Sequence, residues 1–268
     1  MKKTASKWTV DRIRALKGTG PFACVTAVDA VTARWADDAD IPVVLAGDSL
    51  AMTVLGYATT LPVTVEQMLH HTAAVARGAR RALVVADMPF LSYQATAARA
   101  VENAGRFLKE AGADAVKIEG GAFRAATVRT LVRNGIPVMG HVGLLPQNVR
   151  AMGGYKVQGR KPAEAAALVA DARALEKAGV FAIVLEGMPP AVARRITRAV
   201  RVPTIGIGAG PACDAQILVI HDLLGLAPGP APRFVKRFAA LGATATRALS
   251  AYRRDVAAGR FPGPEHCY

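Results

Sequence analysis

The chain has 268 residues, 52% of them hydrophobic, which is enough to bury the core of one large α/β domain. Its formal net charge is +14, but the basic residues are spread over many segments with few aromatic residues among them, which favours solvated helix faces over a nucleic-acid site. No apolar run has the length of a signal-peptide core or of the roughly 18 to 20 residues that cross a bilayer, so we expect a cytoplasmic protein. The three cysteines lack the spacing of a disulfide framework or a zinc site.

Short apolar runs rich in β-branched residues recur along the chain, and amphipathic stretches lie between several of them. The predicted strands are 22–27, 42–46, 82–86, 115–118, 137–140, 181–185, 203–207 and 217–220. The predicted helices between them are 65–78, 95–111, 123–134, 162–178 and 190–199. A short helix over 8–17 is predicted before the first strand, and a long one over 234–257 after the last.

This alternation of strand and helix predicts a (β/α)8 TIM-type barrel, α/β in class, that forms a single domain over residues 1–268. An open doubly wound sheet would use the same alternation, with Gly206-x-Gly208-x-Gly210 as its nucleotide loop. That motif lacks the Gly-x-Gly-x-x-Gly spacing and lies late in the chain. The barrel is therefore the favoured prediction.

Reactive side chains follow five consecutive predicted strands, at the point where each strand ends. They are Asp48 and Ser49, then Asp87, then Lys117 and Glu119, then His141, and finally Glu186. In a barrel of this kind the carboxyl ends of the strands meet at one rim, which carries the active site. Lys117 and Glu119 are two residues apart on one strand, so both are expected to face the barrel mouth.

Carboxylates gathered in a partly buried mouth repel one another unless a cation or a proton neutralises them. The nearby residues include no cysteine and one histidine, which favours an ion that prefers oxygen ligands, such as Mg²⁺. An ion held by one or two carboxylates keeps sites open for the keto oxygen and carboxylate of a 2-oxo acid, and it acidifies the adjacent carbon. A carboxylate on the opposite side could remove that proton. The residues predict metal-assisted enolisation or an aldol-type reaction.

A series of motifs resembles the ketopantoate hydroxymethyltransferase family, in that family's order and over nearly the whole chain. They include Gly47-Asp48-Ser49-Leu50-Ala51-Met52, Thr60-Leu61-Pro62-Val63-Thr64, Ala86-Asp87-Met88-Pro89-Phe90, Val116-Lys117-Ile118-Glu119-Gly120-Gly121, Gly140-His141-Val142-Gly143-Leu144, Pro146-Gln147, Leu185-Glu186 and Ile205-Gly206-Ile207-Gly208-Ala209-Gly210. Any one of these short motifs is weak evidence. So many in the right order are strong evidence.

The resemblance implies a metal-dependent (β/α)8 barrel that transfers a hydroxymethyl group from the co-substrate methylenetetrahydrofolate to 3-methyl-2-oxobutanoate, through a magnesium-stabilised enolate. The product would be 2-dehydropantoate, on the route to pantothenate. The family usually forms a homodecamer, so a large homo-oligomer is expected, with small molecules as substrates and no nucleic-acid or membrane partner. A magnesium-dependent carbon-carbon lyase or aldolase acting on another 2-oxo acid is the alternative, and it would not need the folate.

Residue roles follow from the same resemblance. Asp48 and Asp87 would bind one Mg²⁺ per subunit and the substrate on it, with Glu119 beside the metal. Ser49 and Lys117 would hold the carboxylate and keto oxygen of the oxo acid. Glu186 would be the general base that removes the methine proton, and His141 would line the substrate or folate pocket.

The chain departs from the family pattern at a few positions. Ala58 stands where an acidic residue is usual, Ala215 where a glycine is usual, and Gly187-Met188 where a cysteine or alanine and a valine are more frequent. The aspartate Asp29 lacks its usual aromatic neighbours. None of these changes removes a residue assigned to the chemistry. Together with the high charge they suggest a divergent member with an altered substrate range or slower turnover.

Overall fold

The computed structural model describes residues 6–226, 229 and 231–268. The chain divides into two compact units, one that ends at Val219 and one that spans Ile220–Tyr268. The prediction of a single domain over 1–268 stays a prediction. No helix in the described part of the chain is long and apolar enough to cross a membrane.

The first unit is a closed barrel of eight parallel strands, so the (β/α)8 prediction is confirmed and the open doubly wound sheet is wrong. The strands are β1 (Phe22–Ala27), β2 (Val43–Ala46), β3 (Leu83–Asp87), β4 (Ala115–Glu119), β5 (Val138–Gly143), β6 (Ala182–Glu186), β7 (Thr204–Ile207) and β8 (Ala215–Leu218). Each strand pairs with the next in sequence, and β8 pairs with β1 through the register Phe22↔Ala215 to close the ring.

Eight helices belong to the described residues of this unit. They are α1 (Val10–Arg14), α2 (Ala30–Asp38), α3 (Leu50–Thr53), α4 (Val65–Gly78), α5 (Ala97–Lys109), α6 (Ala125–Arg133), α7 (Pro162–Ala178) and α8 (Pro190–Ala199). The predicted bounds of α4, α7 and α8 are confirmed. Helix α2 was missed, although Asp29 and Thr32 form a capping box at its start that the sequence displays.

The barrel interior is filled by every second residue of the strands. Val43 and Leu45 of β2, and Leu83 and Val85 of β3, belong to one buried cluster, which also takes Ile13 from α1. Helix α1 therefore packs against the barrel core through Ile13. Residues of the same parity further along the strands continue this inward stack toward the carboxyl ends, which is how polar side chains reach the mouth of the barrel.

Several predicted boundaries were wrong. Strand β8 covers Ala215–Leu218 instead of 217–220, because its register is fixed by pairing with β1, while Ile220 begins a short helix, α9 (Ile220–Leu223). Helix α1 begins at Val10, where the Thr9 hydroxyl accepts from the Arg12 N–H. It ends at Arg14 instead of continuing to residue 17.

The second unit contains α9 and the long C-terminal helix α10 (Leu241–Ala257). The prediction began this helix at Phe234, seven residues too early. The backbone N–H groups of Phe238 and Leu241 donate to the carbonyls of Leu223 and Leu224, which holds the chain in a non-helical connection before α10 starts.

Candidate active site

Two aspartates lie side by side at the ends of β2 and β3. The Asp48 N–H donates to Asp87 Oδ2 over 3.0 Å, so the backbone of one strand end anchors the carboxylate of the next. Both side chains are buried. A Cβ atom at Gly47 would lie 3.1 Å from Ser49 Oγ and 3.3 Å from Thr26 Cγ2, so a larger residue there would crowd these two side chains.

Lys117 on β4 is the cation of the site. Its Nζ is 2.7 Å from Asp87 Oδ1, a contact that is an ion pair without the angles of a good hydrogen bond. Burial alone would lower the pKa of Lys117, but the charges of Asp87, Glu119 and Asp48 outweigh burial and raise the pKa. Lys117 is therefore held as an ammonium inside the barrel mouth.

His141 on β5 lies between Lys117 and Glu186. Its Nδ1 is 3.3 Å from Lys117 Nζ, and its Nε2 is 3.2 Å from Glu186 Oε2. Burial, reinforced by the Lys117 charge, lowers the pKa of His141 well below its usual range, so the ring is neutral. Because Lys117 can only donate, Nδ1 accepts and the proton lies on Nε2, which faces Glu186.

Glu186 ends β6 and is the least enclosed of the four carboxyl groups of the site. Its side chain keeps 17% exposure, against 4% or less for the side chains of Asp87 and Glu119. Burial raises the pKa of Glu186 to about 7, although the nearby Lys117 charge acts in the opposite direction. A carboxyl group with this pKa and partial access to the mouth is suited to taking a proton at neutral pH.

The backbone around Glu186 is fixed by β5. Gly143 has φ +103°, and a Cβ there would overlap the carbonyl oxygen of Glu186. The Leu144 N–H donates to that same carbonyl over 2.8 Å. Glycine at position 143 therefore lets β5 run close enough to hold the end of β6 in place.

Burial also favours the protonated forms of Asp48 and Glu119. Burial, followed by the charge of Asp87, raises the pKa of Asp48 to about 7. Burial raises the pKa of Glu119 well above its usual range, although Lys117 opposes the shift. The site thus concentrates more negative charge than Lys117 alone can balance.

The residues fit an oxygen-preferring divalent cation, because Asp48 and Asp87 form a buried pair of hard ligands. Among the residues that the structure describes, no group of three Asp, Glu, His or Cys side chains is arranged to hold a metal ion. The two aspartates would therefore need a substrate or water to complete a coordination shell. Ser49 Oγ and His141 Nε2 are buried without a hydrogen-bond partner in the described part of the chain, and a bound ligand would satisfy them.

The structure brings together the side chains that the sequence predicted for the site. The same-side prediction for Lys117 and Glu119 is confirmed, because both lie buried in the contact network of the mouth. Two residues that received no role, Gln147 and Tyr93, are buried within the same network. Only Gln147 could have been noticed in the sequence, because it lies in the motif Pro146-Gln147, six residues beyond His141.

Comparison with known proteins gives consistent matches. A family model described as ketopantoate hydroxymethyltransferase matches residues 7–264. The chain is 55% identical over 258 residues to the 3-methyl-2-oxobutanoate hydroxymethyltransferase of Syntrophobacter fumaroxidans, covering 96% of this chain and 92% of that protein. It is 54% identical over 264 residues to the protein of the same name from Moorella thermoacetica, covering 98% of each chain.

Solved structures match the fold. A crystal structure of 2,3-dimethylmalate lyase, a member of the PEP mutase/isocitrate lyase superfamily, aligns with a TM-score of 0.61 at 18% identity, covering 96% of this chain and 92% of that one. Phosphonopyruvate hydrolase aligns with a TM-score of 0.62 at 15% identity, covering 96% of this chain and 92% of that one. At these identities the likeness is one of barrel architecture, and chemistry has to be argued from the site.

Proposed function

The chain belongs to the ketopantoate hydroxymethyltransferase family, and we propose that it moves a hydroxymethyl group from methylenetetrahydrofolate to 3-methyl-2-oxobutanoate to give 2-dehydropantoate. One observation carries this proposal: the groups that could bind a 2-oxo acid and the group that could remove its proton lie at the same barrel mouth. A buried pair of aspartates with an ammonium beside it suits a 2-oxo acid, and the carboxyl group of Glu186, with a pKa of about 7, suits removal of its proton.

In this proposal Asp48 and Asp87 hold one Mg²⁺ per subunit, with Glu119 beside it. Bound there, Mg²⁺ would polarise the keto group of the oxo acid and so acidify the neighbouring carbon. Lys117 and Ser49 bind the carboxylate and keto oxygen of the substrate. The ammonium of Lys117 also stabilises the negative charge that develops on the keto oxygen as the proton leaves.

Glu186 removes the methine proton, and its neighbour His141 lines the substrate pocket. The neutral His141 ring presents its Nε2 proton toward Glu186. His141 Nε2 makes no hydrogen bond among the described residues, so its proton is left for a bound ligand. The one-carbon unit of the folate then forms a bond to the deprotonated substrate carbon, its bonds to the folate nitrogens break, water supplies the hydroxyl oxygen, and tetrahydrofolate leaves.

The remaining family properties are part of the same proposal. They are a place in pantothenate biosynthesis, assembly into a homodecamer, a cytoplasmic location, and small molecules as the only partners, without nucleic acid or membrane. The family relationship supports these proposals.

Folate dependence is the direct test of the reaction. With Mg²⁺, 3-methyl-2-oxobutanoate and methylenetetrahydrofolate, we expect 2-dehydropantoate to form, as measured by mass spectrometry. Omitting the folate should abolish product formation. Cleavage of a 2-oxo acid in the absence of folate would contradict the proposal and favour a lyase.

The raised pKa of Glu186 predicts a pH profile. A general base works only when ionised, so the rate of proton removal from substrate should fall about tenfold per pH unit below pH 7 and level off above it. The measurement is kcat/KM for deuterium exchange into 3-methyl-2-oxobutanoate at saturating Mg²⁺, which keeps Asp48 ionised throughout. A rate that stays constant from pH 5.5 to 8.5 would contradict this assignment.

A further inference from the structure

Gln147 has every polar group of its side chain engaged, although the proposed reaction gives it no role. Its Nε2 donates to Asp48 Oδ2 and to the Met88 carbonyl, each over 2.9 Å. Its Oε1 accepts from Tyr93 Oη over 2.7 Å and from Gln94 Nε2 over 3.2 Å. Reversing the amide would place its oxygen against two acceptors, so this network permits one orientation.

The backbone of Gln147 extends the network to a second carboxyl group. The Gln147 N–H donates to Glu119 Oε2 over 3.0 Å, and the Glu119 N–H donates to Tyr93 Oη over the same distance. Gln147 and Tyr93 are both buried. One short 3-10 turn after β5, Pro146–Asn148, therefore ties together the ends of β2, β3 and β4.

Gln147 orients Asp48 without neutralising it. An amide carries no net charge, so its hydrogen bond fixes the carboxylate and leaves the negative charge for a cation. Asp87 differs, because its carboxylate is already paired with the Lys117 ammonium. A side chain that holds a ligand in this way is a common feature of metal sites, where outer partners fix the direction of the inner ligands.

We propose that Gln147 is a positioning residue that presents Asp48 to a divalent cation, and that Tyr93 positions Gln147 through its hydroxyl. This inference rests on the metal-binding role that the proposed function gives to Asp48. Gln147 and Tyr93 would therefore determine how tightly the protein binds the cation, although neither residue contacts the metal itself.

The test is binding of Mn²⁺, followed by the electron paramagnetic resonance signal of the free ion, without substrate or folate. Gln147→Met keeps the length of the side chain and removes its donors, so Mn²⁺ affinity should fall about 10- to 100-fold. Tyr93→Phe removes one neutral hydrogen-bonding group, so affinity should fall about 2- to 10-fold. The control Asn148→Ala truncates the neighbouring amide of the same turn and should bind Mn²⁺ as the native protein does.

The possible results distinguish a failure of the Gln147 role from a failure of the proposed metal site. Native Mn²⁺ affinity in folded Gln147→Met, judged by circular dichroism, would overturn the inference while leaving the metal site intact. If Gln147→Met does not fold, the conservative Tyr93→Phe decides, and unchanged affinity there would overturn it. A native protein that binds no Mn²⁺ would overturn the metal role of Asp48 itself, and the inference with it.

Discussion

Replacing Glu186 with glutamine is expected to slow deuterium exchange at the methine carbon of 3-methyl-2-oxobutanoate by about 10²- to 10⁴-fold, the usual contribution of a positioned general base. Glutamine has nearly the same shape, but its amide does not accept a proton at neutral pH. The loss should appear in the exchange reaction without folate, because proton removal comes before transfer of the one-carbon unit.

For Glu186→Gln, a loss of proton exchange has to be distinguished from a loss of metal binding. Glu186→Gln should bind Mn²⁺ with near-native affinity, because Glu186 contacts His141 and neither of the two aspartates. Glu102→Gln, which removes the same charge from an exposed position on α5, should exchange at the native rate. Native exchange in Glu186→Gln would show that another group is the base, and the assignment of Glu186 would fail.

Most of the fold could be predicted because most strands and helices leave a local signal. Strand β1 and helices α4, α7 and α8 have the predicted bounds, since an apolar run or a capped amphipathic stretch determines each of them. Strand β8 was displaced by two residues because its register depends on pairing with β1, far away in sequence. Long-range pairing of this kind leaves no mark in a short window.

The site residues could be placed by parity and by their positions at the ends of strands. Lys117 and Glu119 were expected on one side of β4, and both lie in the network at the barrel mouth. The contacts that these side chains make with one another could not be predicted in this way. That His141 lies between Lys117 and Glu186, and that Gln147 donates to Asp48 across 99 positions of sequence, follows from strand order and side-chain packing.

Lys117→Met is expected to destabilise the barrel by about 3 to 5 kcal/mol, the usual cost of leaving a buried charge without its partner. Methionine fills similar space but removes the ammonium 2.7 Å from Asp87 Oδ1, and Asp48 and Glu119 remain in the same buried mouth. Urea unfolding in the presence of EDTA measures the effect, since a bound cation would mask it. Lys177→Met, at an exposed position on α7, should change the free energy of unfolding by less than about 0.5 kcal/mol.

The loss of stability in Lys117→Met should depend on pH. Burial raises the pKa of Asp48 to about 7 even with Lys117 present, and removing the ammonium should raise it further. A carboxyl group whose pKa is higher in the folded than in the unfolded state destabilises the fold at high pH, and that cost disappears as pH falls toward the unfolded value. The difference between Lys117→Met and native protein should therefore be larger at pH 8 than at pH 5.5. A difference that does not change with pH would show that lost packing, and not unpaired carboxylate charge, destabilises the variant.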